Sequence, residues 1–424
     1  NQVDIQWELY KVGETGEHKA IRTLSSQSLR DVLKGTGKSC DLDAIYKLKA
    51  AYLRKQINIK VNQDSFAVFM NKFRSRNSFS RITFECLAEE FEREFNFDLV
   101  EATRELYDQH GLAALRVQDI EQYTGKGNEG PMLAFSVWNS SDVNGIISAY
   151  TDKGDGSRDL LNVGDFMIRA GECSRICFPL PHSVGGVILQ TNLAQNIPGN
   201  YIYNFMEFPQ EVLVHAGRKK LEPFCFLPPS GEIVVDNEDQ GFHVFASETK
   251  ESLLGKLLQN KMIVEDSGVD FLTDNAPGWV SSVYIDAYGF PVRSFLGKKT
   301  KNSQARAEWK TEIPEQGEYG VSIYKLDLDF RYQRQADSVA YYYTLEQGDY
   351  RADIVMSFLR NGLQNIYLSD NLGRKEEYSY QQQMPQCGWI QVGVLPLVKG
   401  KVKLILHDKG AFPEQLVFAD AVKW

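Results

Sequence analysis

The 424-residue chain has no apolar run approaching the roughly 20 residues that cross a bilayer, and its N-terminus has no basic-then-apolar signal pattern. No membrane span is therefore expected in this chain. It begins with Asn1 rather than Met, which predicts a piece cut from a larger precursor whose upstream part would carry any signal or anchor. Six cysteines (Cys40, Cys86, Cys173, Cys177, Cys225 and Cys387) are scattered along it. They lack the close pairing of a zinc knuckle and the density of a disulfide scaffold, so they read as small buried hydrophobes. Cys173 and Cys177 fall four apart, about 13 Å along a strand, so a bridge between them needs a bulge or turn. The six histidines stand at positions 18, 110, 182, 215, 243 and 407, and HExxH occurs nowhere. A thermolysin-like zinc site needs two imidazoles one helical turn apart, and this chain cannot supply them. A P-loop is missing too, because GTGKS at Gly35 lacks its first glycine at the required distance. The net charge of −9 and the absence of a Lys/Arg stripe argue against a nucleic-acid partner, whose binding rests on cation contacts with phosphate.

What is present is a chain with globular proportions of apolar and charged residues, long enough for several domains. The carboxylate-rich stretch RITFECLAEEFEREFNFDLVEATRELYDQHG, 81–111, looks like raw material for a hydrolase. Its spacing reads otherwise. Thr83 is placed to cap a helix, with Glu85 near the positive end. Phe84, Leu87, Ala88, Phe91 and Phe95 then form one apolar stripe, while Glu85, Glu89, Glu92 and Arg93 fall largely opposite as a solvated face. Asp98 with Glu101 resembles a capping box opening a second helix lined by Leu99, Ala102 and Leu106; Gly111 ends it, and His110 suits a helix C-terminus. Weaker helical rhythm runs over 42–56 and 65–73.

From Leu115 the period changes to two. Leu133, Phe135 and Val137 alternate in MLAFSVWN, and short strands follow at 145–150, 174–178, 187–191 and 201–205. Pro228 and Pro229 in FCFLPPSG, 224–231, mark a linker. Beyond it lie many short strands, with one amphipathic interruption at 251–262 built on Leu253, Leu254, Leu257 and Leu258. The expected fold is multi-domain α+β. A helical segment over 1–114 is followed by two antiparallel β-sandwich domains: a small one over 115–229, and a larger, jelly-roll-like one over 230–424 with a short helical insert near 250–262.

No catalytic residues, cofactor or metal ligands are expected. Trp279, Trp309 and Trp389 offer faces that fit a sugar ring, although Trp309 and Trp389 sit inside alternating strands and read as core anchors. Tyr341 and Tyr343 share one strand face, either as an exposed platform or as cross-strand packing. Trp279, Tyr341 and Tyr343 are the candidate ligand-binding residues. Asp236 and Asp239 of DNED are the candidate cation ligands. TDKGDGSRD, with Asp152, Asp155 and Asp159, departs from calcium-loop spacing and reads as a polar hairpin loop. Asp420, an acid in an apolar terminal strand, is expected to tie that strand to a neighbouring loop.

Two resemblances add to this. Ala307, Trp309, Ile313, Pro314, Gly317, Tyr319 and Val321, then Gly388, Trp389 and Gly393, then Ala419, Asp420, Ala421 and Val422 resemble the pattern of the golvesin C-terminal-like domain, also called the xanthan lyase carbohydrate-binding-like domain. EIVVDNEDQGF, 232–242, resembles that family's first strand. Val392 replaces the usual Leu, and the insert before Trp279 departs from the pattern. Upstream, Phe79, Ile82-Thr83-Phe84, Phe97-Asp98-Leu99, Tyr107 and Gly111-Leu112 resemble the helices that follow the zinc site of gluzincin aminopeptidases, with Ala113 in place of the usual Pro and no catalytic helix. The order of segments is similar to large extracytoplasmic proteins of Bacteroidetes-type bacteria. The resemblance implies a non-catalytic C-terminal region of a peptidase-like protein outside the cytoplasm, joined to an upstream domain of the same precursor and touching a glycan or polysaccharide. A hydrolase or lyase with an unrecognised site, and a purely structural spacer, are the alternatives.

Overall fold

Polar side chains start most of the helices, the expected caps Thr83 and Asp98 among them. Thr15 caps α1 (Gly16–Leu24), and Ser28 caps α2 (Leu29–Leu33) in a capping box with Asp31. After α3 (Leu42–Lys60), Asn62 caps α4 (Gln63–Arg76), Thr83 caps α5 (Phe84–Phe95) and Asp98 caps α6 (Leu99–Asp108). Each cap satisfies a backbone N–H that the first helical turn leaves unpaired. Asp98 accepts from the Glu101 N–H at 2.8 Å. The Glu101 carboxylate pairs with Arg104 rather than reaching back to the cap.

The structure, a computed structural model, describes residues 15–35, 42–124, 130–152, 160–205, 210–211, 215–229, 231–245, 263–265, 278–300, 305–326, 328, 337–359, 362–380, 388–412 and 415–424. The expected helix at 251–262, the loop residues 153–159, and Cys40 and Cys387 lie outside them. The described chain divides into two units, Thr15–Leu227 and Pro228–Trp424.

In the first unit the stripe of α5 does what its spacing requires. Phe91 is buried against Phe69 at 5.5 Å, Phe95 at 4.8 Å and Phe97 at 5.9 Å, with Ile57, Val61 and Phe73 around them. Glu85, Glu89, Glu92 and Arg93 face solvent. The helices share this unit with a sandwich. Its five-stranded sheet runs β8 (Gln210–Glu211), β1 (Leu115–Thr124), β2 (Met132–Asn139), β5 (Cys173–Pro179), β9 (Gly217–Lys220). Its four-stranded sheet runs β4 (Leu160–Ile168), β3 (Gly145–Asp152), β6 (Gly186–Gln190), β7 (Asn200–Asn204). Leu133, Phe135 and Val137 of β2 enter the core between them, while Met132, Ala134 and Cys177 form a smaller cluster on the outer side. Cys173 and Cys177 are free thiols on β5. Lys55 of α3 ties helices to sheet through Asp165 at 2.9 Å and the Tyr150 hydroxyl at 2.9 Å. The first half of the expected linker is docked: Pro223–Phe226 forms a 3-10 turn, and Phe226 is buried beside Trp138.

Among the described residues the second unit is built from three sheets. A seven-stranded one runs β11 (Phe242–Phe245), β15 (Arg306–Ile313), β22 (Gly400–His407), β17 (Ser338–Gln347), β18 (Tyr350–Leu359), β19 (Gly362–Asp370), β20 (Lys375–Ser379). A four-stranded one runs β10 (Val234–Val235), β24 (Val422–Lys423), β16 (Gly317–Lys325), β21 (Gly388–Leu397), and a second runs β12 (Ile263–Glu265), β13 (Trp279–Val283), β14 (Ser294–Lys299), β23 (Leu416–Ala419). Neighbours such as β15–β22 and β16–β21 are far apart in sequence, as a jelly-roll-like sandwich requires. Gly393 lets β21 come close to β19, since a Cβ there would lie 2.7 Å from Leu368 Cδ1.

Candidate functional site

Burial corrects the expected ligand-binding residues. Trp279 and Tyr341 are 1% exposed and Tyr343 is 4% exposed, so none can offer a ring face to a sugar. The reason is the β17 alternation: Val339, Tyr341, Tyr343 and Leu345 all point inward. There Tyr341 and Tyr343 stack at 6.4 Å and Tyr341 meets Phe358 edge-on at 5.9 Å. Burial pushes both phenols up, Tyr341 being further raised by Tyr343. Trp309 is a core anchor, as expected: it is 1% exposed and donates from Nε1 to the Asp420 carbonyl at 2.9 Å.

Trp389 departs from its expected role as a core anchor. It lies directly opposite Tyr324 in the β16–β21 ladder, on the face away from buried Ile323 and Ile390, and it stays half-exposed. Tyr324 meets it edge-on at 5.2 Å, and Tyr288 completes a triangle at 5.0 Å from Trp389 and 5.4 Å from Tyr324. Tyr288 comes from the 284–293 turn joining β13 to β14. Lys423 of β24, which pairs with Ser322 on the same face, reaches over the Trp389 ring at 5.1 Å and holds Glu232 at 3.0 Å. Three half-buried rings, a cation and a carboxylate thus share one patch on the four-stranded sheet. The sequence marked Trp389 as a candidate for either role, but Tyr288 and Tyr324 carry no pattern of their own, because only the fold brings a turn residue over a strand pair.

Beside this patch lies the acidic cluster. Asp239 is exposed, and its carboxylate accepts from the Asp236 N–H at 2.8 Å, closing a turn. The two expected cation ligands thus differ in setting: the Asp239 side chain faces solvent with one oxygen on the backbone, and the Asp236 side chain is buried. Asp236 is 7% exposed, and its charge acts on Asp420, which is 3% exposed. Asp420 fulfils the expected tie to a neighbouring loop: its Oδ2 accepts from the Tyr288 N–H at 3.1 Å. Its Oδ1 is buried with no partner. Burial raises the Asp236 carboxyl to about 8, against the lowering effect of the Asn237 N–H, with Asp239 and Glu238 adding to the rise. Burial, and then the charge of Asp236, hold Asp420 well above the carboxylate range.

Other polar groups in this unit do not make a reactive centre. A groove of about 590 Å³ lined by Lys310, Glu312, Glu346, Lys401 and Lys403 is laced by ion pairs, with Lys403–Glu346 at 2.7 Å and Lys310–Glu308 at 2.8 Å. Thr344 lies 2.8 Å from His407 Nε2 and donates to Asp353 at 2.8 Å. This is not the order of a nucleophilic triad, in which the carboxylate orients the imidazole, and Thr344 is only 3% exposed. Among the described residues no three His, Cys, Asp or Glu side chains converge as a metal-binding group.

No family model matches the chain, and no curated protein matches it. Among solved structures, a calcium-binding mutant of Bacteroides uniformis beta-glucuronidase 2 aligns at 11% identity over 74% of this chain and 30% of that one, with a TM-score of 0.18. This chain thus spans less than a third of that protein, and a likeness of this degree establishes neither fold nor activity.

Proposed function

We propose that this chain is a non-catalytic region of a larger extracytoplasmic, peptidase-like protein, and that its C-terminal sandwich binds a glycan or polysaccharide through the Tyr288–Tyr324–Trp389 patch. The patch is the observation that carries this reading. Rings that remain half-exposed supply flat apolar area to a pyranose, and their edge-to-face contacts fix their planes before ligand arrives. Lys423 and Glu232 beside them add hydrogen-bonding groups of both signs for hydroxyls or a sugar carboxylate. The golvesin-like residues support the same reading. Trp309, Asp420 and the ADAV strand build the interior that holds the patch, while Trp389 belongs to both the motif and the surface.

A glycan array probed with the full chain tests this. Retention of one class of glycan, weakened at least tenfold by Trp389→Ala, is the expected result. Absence of retention, or retention indifferent to Trp389→Ala, overturns it. The rival hydrolase or lyase reading gains if a retained polysaccharide is also cleaved.

A further inference from the structure

Asp420 and Asp236 present a problem that the glycan reading does not solve. A carboxylate removed from water must be paired, because leaving it isolated costs several kcal/mol. Both of these acids are more than nine-tenths buried. One oxygen of Asp420 has a single backbone donor and the other has none. The turn between them is shaped to bring further oxygen close. Gly289 has φ +123°, and a Cβ at that position would lie 2.2 Å from the Val292 carbonyl and 2.7 Å from Asp236 Oδ2. Those two oxygens are therefore no more than about 5 Å apart, the span of two ligands on one ion with oxygen at about 2.3–2.6 Å. The Tyr288 N–H on Asp420, one residue earlier, brings the second carboxyl to the same turn. Nearby basic groups are engaged elsewhere: Arg293 donates to the Ile285 carbonyl at 2.8 Å and Lys423 to Glu232.

We propose that Asp236, Asp420 and the Val292 carbonyl form a binding site for a hard divalent cation of the calcium class, completed by water and locking the 284–293 turn onto the terminal strands. Oxygen-only donors suit calcium better than a transition metal, which prefers imidazole or thiolate. Glu238 and Asp239, exposed on the same turn, add negative charge nearby.

The test uses the full chain, stripped with chelator and titrated with calcium alone by calorimetry, with thermal unfolding followed in parallel. One equivalent is expected to bind, and calcium is expected to raise the unfolding midpoint of the 228–424 unit in a concentration-dependent way. Asp420→Asn and, separately, Asp236→Asn should each weaken binding at least tenfold and abolish the shift. If Asp420→Asn does not fold, Asp236→Asn decides. Absence of stoichiometric binding to the stripped chain, or binding that survives these substitutions, overturns the proposal, the former leaving a shared proton as what neutralises the pair. The readout is the ion by itself, so failure here leaves the glycan reading standing, and failure on the array leaves the cation site standing.

Discussion

Replacing Trp309 by Phe should destabilise the 228–424 unit while leaving its surface intact. The indole is 1% exposed, packs on Phe242 at 5.3 Å and donates to the Asp420 carbonyl at 2.9 Å. Phenylalanine keeps the ring contact but loses the donor and leaves a buried carbonyl short of a partner, which costs about 1–3 kcal/mol. The smaller ring gives up roughly 50 Å² of buried apolar area, or about 1.3 kcal/mol at about 25 cal/mol per Å². The expected loss is therefore about 2–4 kcal/mol, a large share of the roughly 5–15 kcal/mol that holds a domain together. Urea unfolding followed by far-UV circular dichroism and by fluorescence measures it, and four of the six tryptophans (Trp279, Trp309, Trp389 and Trp424) report on this unit. Trp389→Phe, by contrast, should cost under about 1 kcal/mol, because a half-exposed ring loses little on shrinking. A Trp309→Phe loss below about 1 kcal/mol, or one no larger than that of Trp389→Phe, would refute the division into anchor and surface ring.

Three further outcomes follow from other sites. Asp165→Ala strands the Lys55 cation, whose side chain is 16% exposed and bonded to Asp165 at 2.9 Å, and should cost about 3–5 kcal/mol; the apolar pair Lys55→Met with Asp165→Leu should recover most of it, as a double-mutant cycle in urea would record. Lys49 is 6% exposed, and burial lowers its ammonium to about 8. Between pH 8 and its unfolded value near 10.5 the unfolded chain holds more protons, so stability should rise with pH by up to about 3 kcal/mol; an identical pH profile in Lys49→Met would contradict this. Gly289→Ala forces a side chain into the left-handed region and onto the Val292 carbonyl, and should cost at least about 2 kcal/mol by chemical denaturation; a neutral result would mean that the turn adopts another shape.

Elements with their own periodicity were legible from sequence, and juxtapositions were not. Thr83, Asp98 and the Phe91 stripe announce helices because caps and a 3.6-residue period are local properties. Leu133, Phe135 and Val137 announce a strand for the same reason. Alternation tells which residues share a face without telling which face is covered, so Tyr341 and Tyr343 read equally as platform or as packing. A bulky aromatic in a short strand looks the same on either side of a sheet, so the burial of Trp279 has no local signature. Asp236 and Asp239 are neighbours in sequence, but only the fold brings Asp236 within electrostatic reach of Asp420 from the far end of the module, and Tyr288 joins the aromatic patch only through a turn. A site made of one strand end, one turn and one terminal strand has no spacing for sequence to display.

Oxidative footprinting read by mass spectrometry, with and without the glycan retained on the array, tests the central claim most directly. Trp279, Trp309 and Trp424 are buried and Trp389 is half-exposed, so Trp389 should oxidise first among these four and, with Tyr288, should be shielded when the glycan is bound. Shielding confined to other surfaces, with Trp389 and Tyr288 equally reactive in both states, would contradict the account.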